Sequence, residues 1–131
     1  MTHPTKVVLH RRSQELELIF DQTRFLLSAE YLRVSSPSAE VKGHGPGQEV
    51  LQLNKHDVKL TRLEPQGRYG IRLHFDDGHN TGIYSWDYLY ELGLCHEANM
   101  AAYRDKVAKY KESEGHTPLR WVTPNNQGSS D

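Results

Sequence analysis

The reactive side chains fall into short groups, each suggesting a different chemistry. Eight histidines accompany one cysteine, Cys95. None of the histidines forms the His-x-x-x-His pair that aims two imidazoles from one helix face at a metal, and one cysteine supplies no thiolate set. His74-Phe75-Asp76 matches the His-x-Asp half of the facial triad that binds ferrous iron. Residues two apart in a strand share a face, so the pair is geometrically admissible. The triad also needs a distant third ligand inside a barrel of about eight strands. This chain offers roughly six strand-like runs, and Asp76 falls in a turn, so both residues read as solvated polar positions.

Cys95-His96 sets a nucleophile beside a base. Sequence neighbours rarely present both side chains to one substrate, and no orienting third group accompanies them. Cys95 therefore reads as a small buried residue closing a helix–helix turn. Gly43-His44-Gly45-Pro46-Gly47 has the glycines of a phosphate-cradling loop. Pro46 removes a backbone N–H where such a loop needs donors, and no Gly-Lys-Ser/Thr follows. Nucleotide hydrolysis has no basis here.

Tyr84, Trp86, Tyr88 and Tyr90 form a dense aromatic run. On a helix beginning at Trp86, positions 86 and 90 share one side and 88 takes another, so not all can be buried. Core plus ordinary surface is one reading, and an aromatic contact patch for a partner protein is the alternative. Arg104, Lys106, Lys109 and Lys111 are interrupted by Asp105, Glu112 and Glu114, the pattern of a solvated helix face.

The elements that hold these groups follow from periodicity. Residues 6–10 and 15–20 are β-prone runs around a polar turn, and in the second Leu16, Leu18 and Phe20 alternate with Glu15 and Glu17. Phe25-Leu26-Leu27 offers a third short strand, and residues 28–34 a single helical turn. Residues 35–48 hold three glycines and two prolines and read as a loop, with one turn of helix around Ala39. Val58 and Leu60 open a strand ending at the Glu64-Pro65-Gln66-Gly67 turn. Tyr69, Ile71, Leu73 and Phe75 then alternate with polar or small neighbours. Asp77-Gly78 signals a hairpin, and Thr81 to Tyr84 returns as the last strand of a three-stranded meander.

Ser85 reads as an N-cap, with Asp87 in the first turn of a helix over 86–92 and Gly93 as the αL residue ending it. A second helix over 97–113 places Met100, Tyr103, Val107 and Tyr110 on one face. The expected fold is α+β: small antiparallel sheets, a hairpin plus a three-stranded meander, with two C-terminal helices. Residues 1–115 make a single domain and 116–131 a flexible tail.

Bulk properties narrow the partners. With 131 residues, the chain is long enough for one buried core. Sixteen basic residues against seventeen acidic ones give a net charge of −1, so no general attraction to nucleic acid or to a membrane surface follows. No apolar run approaches the roughly 20 residues of a membrane span, and the first residues lack a signal-peptide core. The cytoplasm is the expected compartment.

Three strings resemble a known family: Ala29-Glu30-Tyr31-Leu32-Arg33-Val34, then Ser36-Pro37-Ser38-Ala39-Glu40-Val41 with the glycine-rich loop, and Gly82-Ile83-Tyr84-Ser85-Trp86-Asp87-Tyr88-Leu89. They are similar to the DUF971 family and to the N-terminal domain of γ-butyrobetaine and trimethyllysine hydroxylases, over residues 5–112. In the hydroxylases, the resemblance implies, this domain carries a structural zinc held by three cysteines and a histidine. The matching positions here are Ser36, Ser38, Val41 and His79. Hydroxyls replace thiolates poorly and valine offers no donor, so no metal and no cofactor are expected.

The family is also fused to P-loop ATPases that handle iron–sulfur clusters, which implies an interaction module in cluster assembly. The expectation is a non-catalytic module that binds a protein partner, neither nucleic acid nor membrane, with contacts at Arg33, His44, Tyr84, Trp86 and Asp87. The alternatives are a subunit or remnant of an iron- and 2-oxoglutarate-dependent oxygenase, and a domain binding a small ligand.

Overall fold

The computed structural model describes residues 3–43 and 49–115. Two antiparallel meanders follow each other along the chain, each with its strands in sequence order. The first contains β1 (Lys6–His10), β2 (Glu15–Phe20) and β3 (Thr23–Ser28), and the second β4 (Leu60–Gln66), β5 (Gly70–Phe75) and β6 (Ile83–Ser85). Between them lie α1 (Ala29–Val34) and α2 (Ala39–Lys42), and after them α3 (Trp86–Leu94) and α4 (His96–Gly115). The chain divides into two compact units after Asn99. The α+β reading holds, with the third strand of the first sheet longer than its apolar run suggests.

Local chemistry explains most boundaries. Phe20 pairs with Thr23, and Asp21 takes the positive φ of 51° that a short polar residue tolerates at such a turn. Ser28 caps α1 by accepting from the Tyr31 N–H, and Ser38 and Ser85 cap α2 and α3 in the same way. In β5 the period of two is clear: Ile71, Leu73 and Phe75 are buried. Tyr31 and Tyr84 are the largest fully buried side chains. The Tyr31 hydroxyl donates to the Leu92 carbonyl at 2.6 Å and that of Tyr84 to Leu32 at 2.5 Å, so α1 is tied to both α3 and the second sheet.

Several expectations need correction. β4 runs through Pro65 rather than turning at Glu64; β4 is an edge strand, where a proline's missing N–H can face outward. Tyr69 belongs to the turn and is 68% exposed, and the last strand begins at Ile83, not Thr81. Gly93 does not end α3 in the αL conformation, since the helix continues to Leu94 with Cys95 as its C-cap. A Cβ at Gly93 would lie 2.5 Å from the Phe25 ring, so the glycine is required by close packing. Cys95 is exposed, not buried. Glu17, expected on the polar face of β2, is buried, where His10 Nε2 lies 2.7 Å and Arg24 Nε 2.5 Å from its carboxylate. The Arg24 hydrogen bond, then that of His10, holds its pKa down at about 2.

Candidate functional site

The sequence sets Ser36, Ser38 and Glu40 at alternate positions entering α2, and His79 and Thr81 in the connection between β5 and β6. The fold brings the two segments together. Ser36 Oγ lies 2.8 Å from His79 Nε2 across 43 residues of chain, and His79 Nδ1 lies 3.0 Å from Glu40 Oε1. Thr81 Oγ1 donates to the same Glu40 oxygen at 2.9 Å and meets Ser38 Oγ at 2.7 Å. The Ser38 N–H donates to Ser36 Oγ at 3.2 Å, and the Glu40 N–H to Ser38 Oγ at 3.2 Å.

Proton counting fixes the directions. A carboxylate only accepts, so Nδ1 of His79 carries a proton toward Glu40 and Nε2 is left to accept from the Ser36 hydroxyl. The only proton of Thr81 Oγ1 goes to Glu40, so Ser38 Oγ–H donates to Thr81. The result is a closed ring of hydrogen bonds between two distant segments. His79 is held below its ordinary pKa, because burial penalises the charged imidazolium and the Arg33 guanidinium repels it; Glu40 and Asp77 oppose the shift. The neutral imidazole fits the proton count.

Next to the ring stands a second cluster. Asp77 Oδ2 accepts from Arg33 Nε at 2.9 Å and from Lys55 Nζ at 2.7 Å, and its other oxygen accepts from the His79 N–H at 3.1 Å. Burial by itself would raise the Asp77 carboxyl, but the Lys55, His79 and Arg33 hydrogen bonds prevail and hold it at about 2. One further guanidinium nitrogen of Arg33 is buried with no hydrogen-bond partner among the described residues.

Ser36, His79 and Glu40 have the order and spacing of a hydroxyl, a base and an orienting carboxylate. Access separates them from a hydrolytic site. Ser36 is 0% exposed, and a Cβ at Gly82 would already stand 2.4 Å from its Oγ. No substrate carbonyl reaches that oxygen. The donor set does not suit zinc either: both ring nitrogens of His79 and both serine hydroxyls are engaged, and Val41 is buried without a donor atom. Among the described residues no group of three His, Cys, Asp or Glu side chains is placed to hold a metal ion.

Of the residues expected at a contact surface, Arg33 and Tyr84 are buried, turned to Asp77 and to the Leu32 carbonyl, and cannot serve as first contacts. His44 lies outside the described residues. Asp87 is exposed and Trp86 half-buried. Tyr90 packs edge-on against Phe20 and Phe25, with centroids 5.1 and 5.4 Å apart. Tyr88 donates to the Ser35 carbonyl at 2.6 Å, and burial pushes its pKa up to about 12. The other motifs are dispersed as well. His74 faces Glu64 at 2.9 Å while Asp76 accepts from the Lys59 N–H, and the His96 ring packs edge-on against Tyr31. Glu40, Asp77 and Thr81 were not legible as members of a cluster, since their partners are distant in sequence.

Comparison with known proteins agrees with this architecture. Residues 7–90 match the family described as gamma-butyrobetaine hydroxylase-like, N-terminal. Two proteins solved by NMR in solution are 44% and 42% identical, with TM-scores of 0.75 and 0.72. Each similarity covers 85% of this chain, and 88% and 83% of the respective relatives. A crystal structure of a DUF971-family protein of unknown function from Acidithiobacillus ferrooxidans is 33% identical, with a TM-score of 0.58 over 69% of this chain and 91% of that one. No functionally curated protein matches the chain. By the extent of the family match and by these identities, the chain belongs to the gamma-butyrobetaine hydroxylase-like N-terminal family, also designated DUF971.

Proposed function

We propose that this chain is a non-catalytic accessory module that acts by binding another protein, in the cytoplasm and beside iron–sulfur cluster assembly. The single observation that carries the reading is the closed hydrogen-bond ring. The hydroxyls of Ser36 and Ser38 and the imidazole of His79, the groups best suited to nucleophilic or acid–base work, are buried and spend their protons within the ring, which the exposed Glu40 and Thr81 close. Aromatic and apolar side chains also face solvent: Tyr69 is 68% exposed and Ile83 46%, and Trp86 is half-buried. Such residues are enriched where proteins meet. In this reading Ser36, Ser38 and Val41 mark a zinc site that has lost its sulfur ligands, and hydrogen bonds take over the tying of the two segments. The iron–sulfur placement rests on the family resemblance.

The test is native mass spectrometry of affinity-captured protein, comparing the wild type with Trp86→Ala. A stoichiometric complex that the variant loses supports the proposal. Succinate formation on adding ferrous iron and 2-oxoglutarate to the purified chain would overturn it in favour of an oxygenase.

A further inference from the structure

A second feature lies away from the ring, at the outer edge of the first sheet. A cleft of about 420 Å³ is lined by the chain from His3 to Val7 and by Arg68 and Trp86. β1 is an outer strand, paired on one side among the described residues. The lining runs from His3 into the first two residues of β1, so the cleft lies at the start of an edge strand, and the outer side of such a strand offers backbone groups to another strand.

The chemistry of the lining selects the occupant. Lys6 and Arg68 contribute two cations and His3 an imidazole, and no carboxylate lines the cleft among the described residues. Neither Lys6 nor Arg68 makes an ion pair among the described residues. Asp87 is the next residue after Trp86 but is not part of the lining. In a chain of net charge −1 this is a local concentration of positive charge. The Trp86 ring is fixed on the wall: its Nε1–H donates to the Arg68 carbonyl at 3.0 Å and its backbone N–H to the Tyr69 carbonyl at 2.9 Å. An indole pinned at its nitrogen offers a rigid apolar surface at little entropic cost.

We propose that this cleft receives an extended acidic segment of a partner protein, added as a strand along β1. The segment's backbone pairs with the open edge, its carboxylates meet Lys6 and Arg68, and an apolar side chain rests on Trp86. This deepens the interaction-module reading and depends on it.

The test uses the full chain in a Trp121→Phe background, which leaves Trp86 as the only tryptophan, since the sequence has two. The probes are the blocked peptide Ac-Glu-Val-Glu-Val-Glu-NH2, its Lys-Val-Lys-Val-Lys counterpart, and free glutamate, read by tryptophan fluorescence. The expected result is saturable binding of the acidic peptide alone, weakened by salt, and lowered at least about tenfold by Arg68→Glu or Lys6→Glu, about 1.4 kcal/mol. Equal binding of both peptides, or unchanged affinity in both charge-reversed variants, overturns the proposal. Free glutamate binding as tightly as the peptide also overturns it, because the backbone pairing would then contribute nothing. Native mass spectrometry separates the two layers. A partner retained by Arg68→Glu but lost by Trp86→Ala removes the acidic strand and keeps the module, whereas the absence of any complex with the wild type removes the module itself.

Discussion

Replacing Ser36 by alanine tests whether the ring is structural. The hydroxyl receives the Ser38 N–H and donates to His79 Nε2, and both serines and the imidazole are buried. Removing it strands two buried polar groups, each costing about 1–3 kcal/mol, for a loss of roughly 2–6 kcal/mol. For a chain of this length about 4 °C of melting temperature accompanies each kcal/mol, giving a fall of roughly 8–24 °C. Glu40→Ala is the informative contrast. Its side chain is 64% exposed, so water replaces the carboxylate toward His79 and Thr81, and the cost stays below about 1 kcal/mol. Thermal melts by circular dichroism, with urea titrations to check that the m-value is unchanged, measure both. A Ser36→Ala protein melting within about 3 °C of wild type, or a Glu40→Ala loss as large as that of Ser36→Ala, would refute the reasoning.

Other consequences can be measured on the same preparations. Gly93→Ala forces a Cβ against the Phe25 ring and should cost about 1–3 kcal/mol; Phe25→Leu in the same chain should recover part of that loss, which a simple helix-terminator role would not allow. His79 has a depressed folded pKa, so the unfolded chain binds its proton first. Its contribution is complete above the ordinary value of 6.5 and is lost as pH falls below that toward the folded value. His79→Gln should flatten the stability–pH curve just below 6.5. It should leave the further loss between 4.5 and about 2, set by Glu17 and Asp77, in place. The triple change Ser36→Cys, Ser38→Cys, Val41→Cys should gain one equivalent of zinc by elemental analysis, and the wild type should hold none in stoichiometric amount; zinc in the wild type would contradict the lost-site reading.

The strands of this fold were legible wherever apolar side chains recur at every second position. Leu16, Leu18 and Phe20, and Ile71, Leu73 and Phe75, keep a period of two because each faces the core. The Ser85 cap was legible because a cap is made within three residues, whereas the caps at Ser28 and Ser38 were not read from the sequence. Gly93 shows the limit: glycine after a helical run is ordinarily a terminator, but its reason here is Phe25, on a strand far back in the chain. The same holds for Arg33 and Tyr84. Both were expected at a contact surface, and both turn inward to partners 44 and 52 residues away. The family resemblance picked out Ser36, Ser38 and His79 as neighbours in space, but gave no role to Glu40 and Thr81, which close the ring. Charge pattern did not reveal the cleft at β1, because Lys6 and Arg68 are isolated cations in sequence and neighbours only once the two sheets are formed.

The span of the ring bears on how the molecule assembles. Each meander joins strands adjacent in sequence, so either can collapse early at small loop-closure cost. The Ser36–His79 bridge closes 43 residues and gains its partners only after the second meander has positioned the β5–β6 connection. It belongs on the native side of the folding barrier. Loss of the Ser36 hydroxyl therefore falls on the unfolding limb of a chevron, leaving the refolding rate nearly unchanged. The bridge acts as a brake on opening, which sets how long a folded molecule persists rather than how fast it forms.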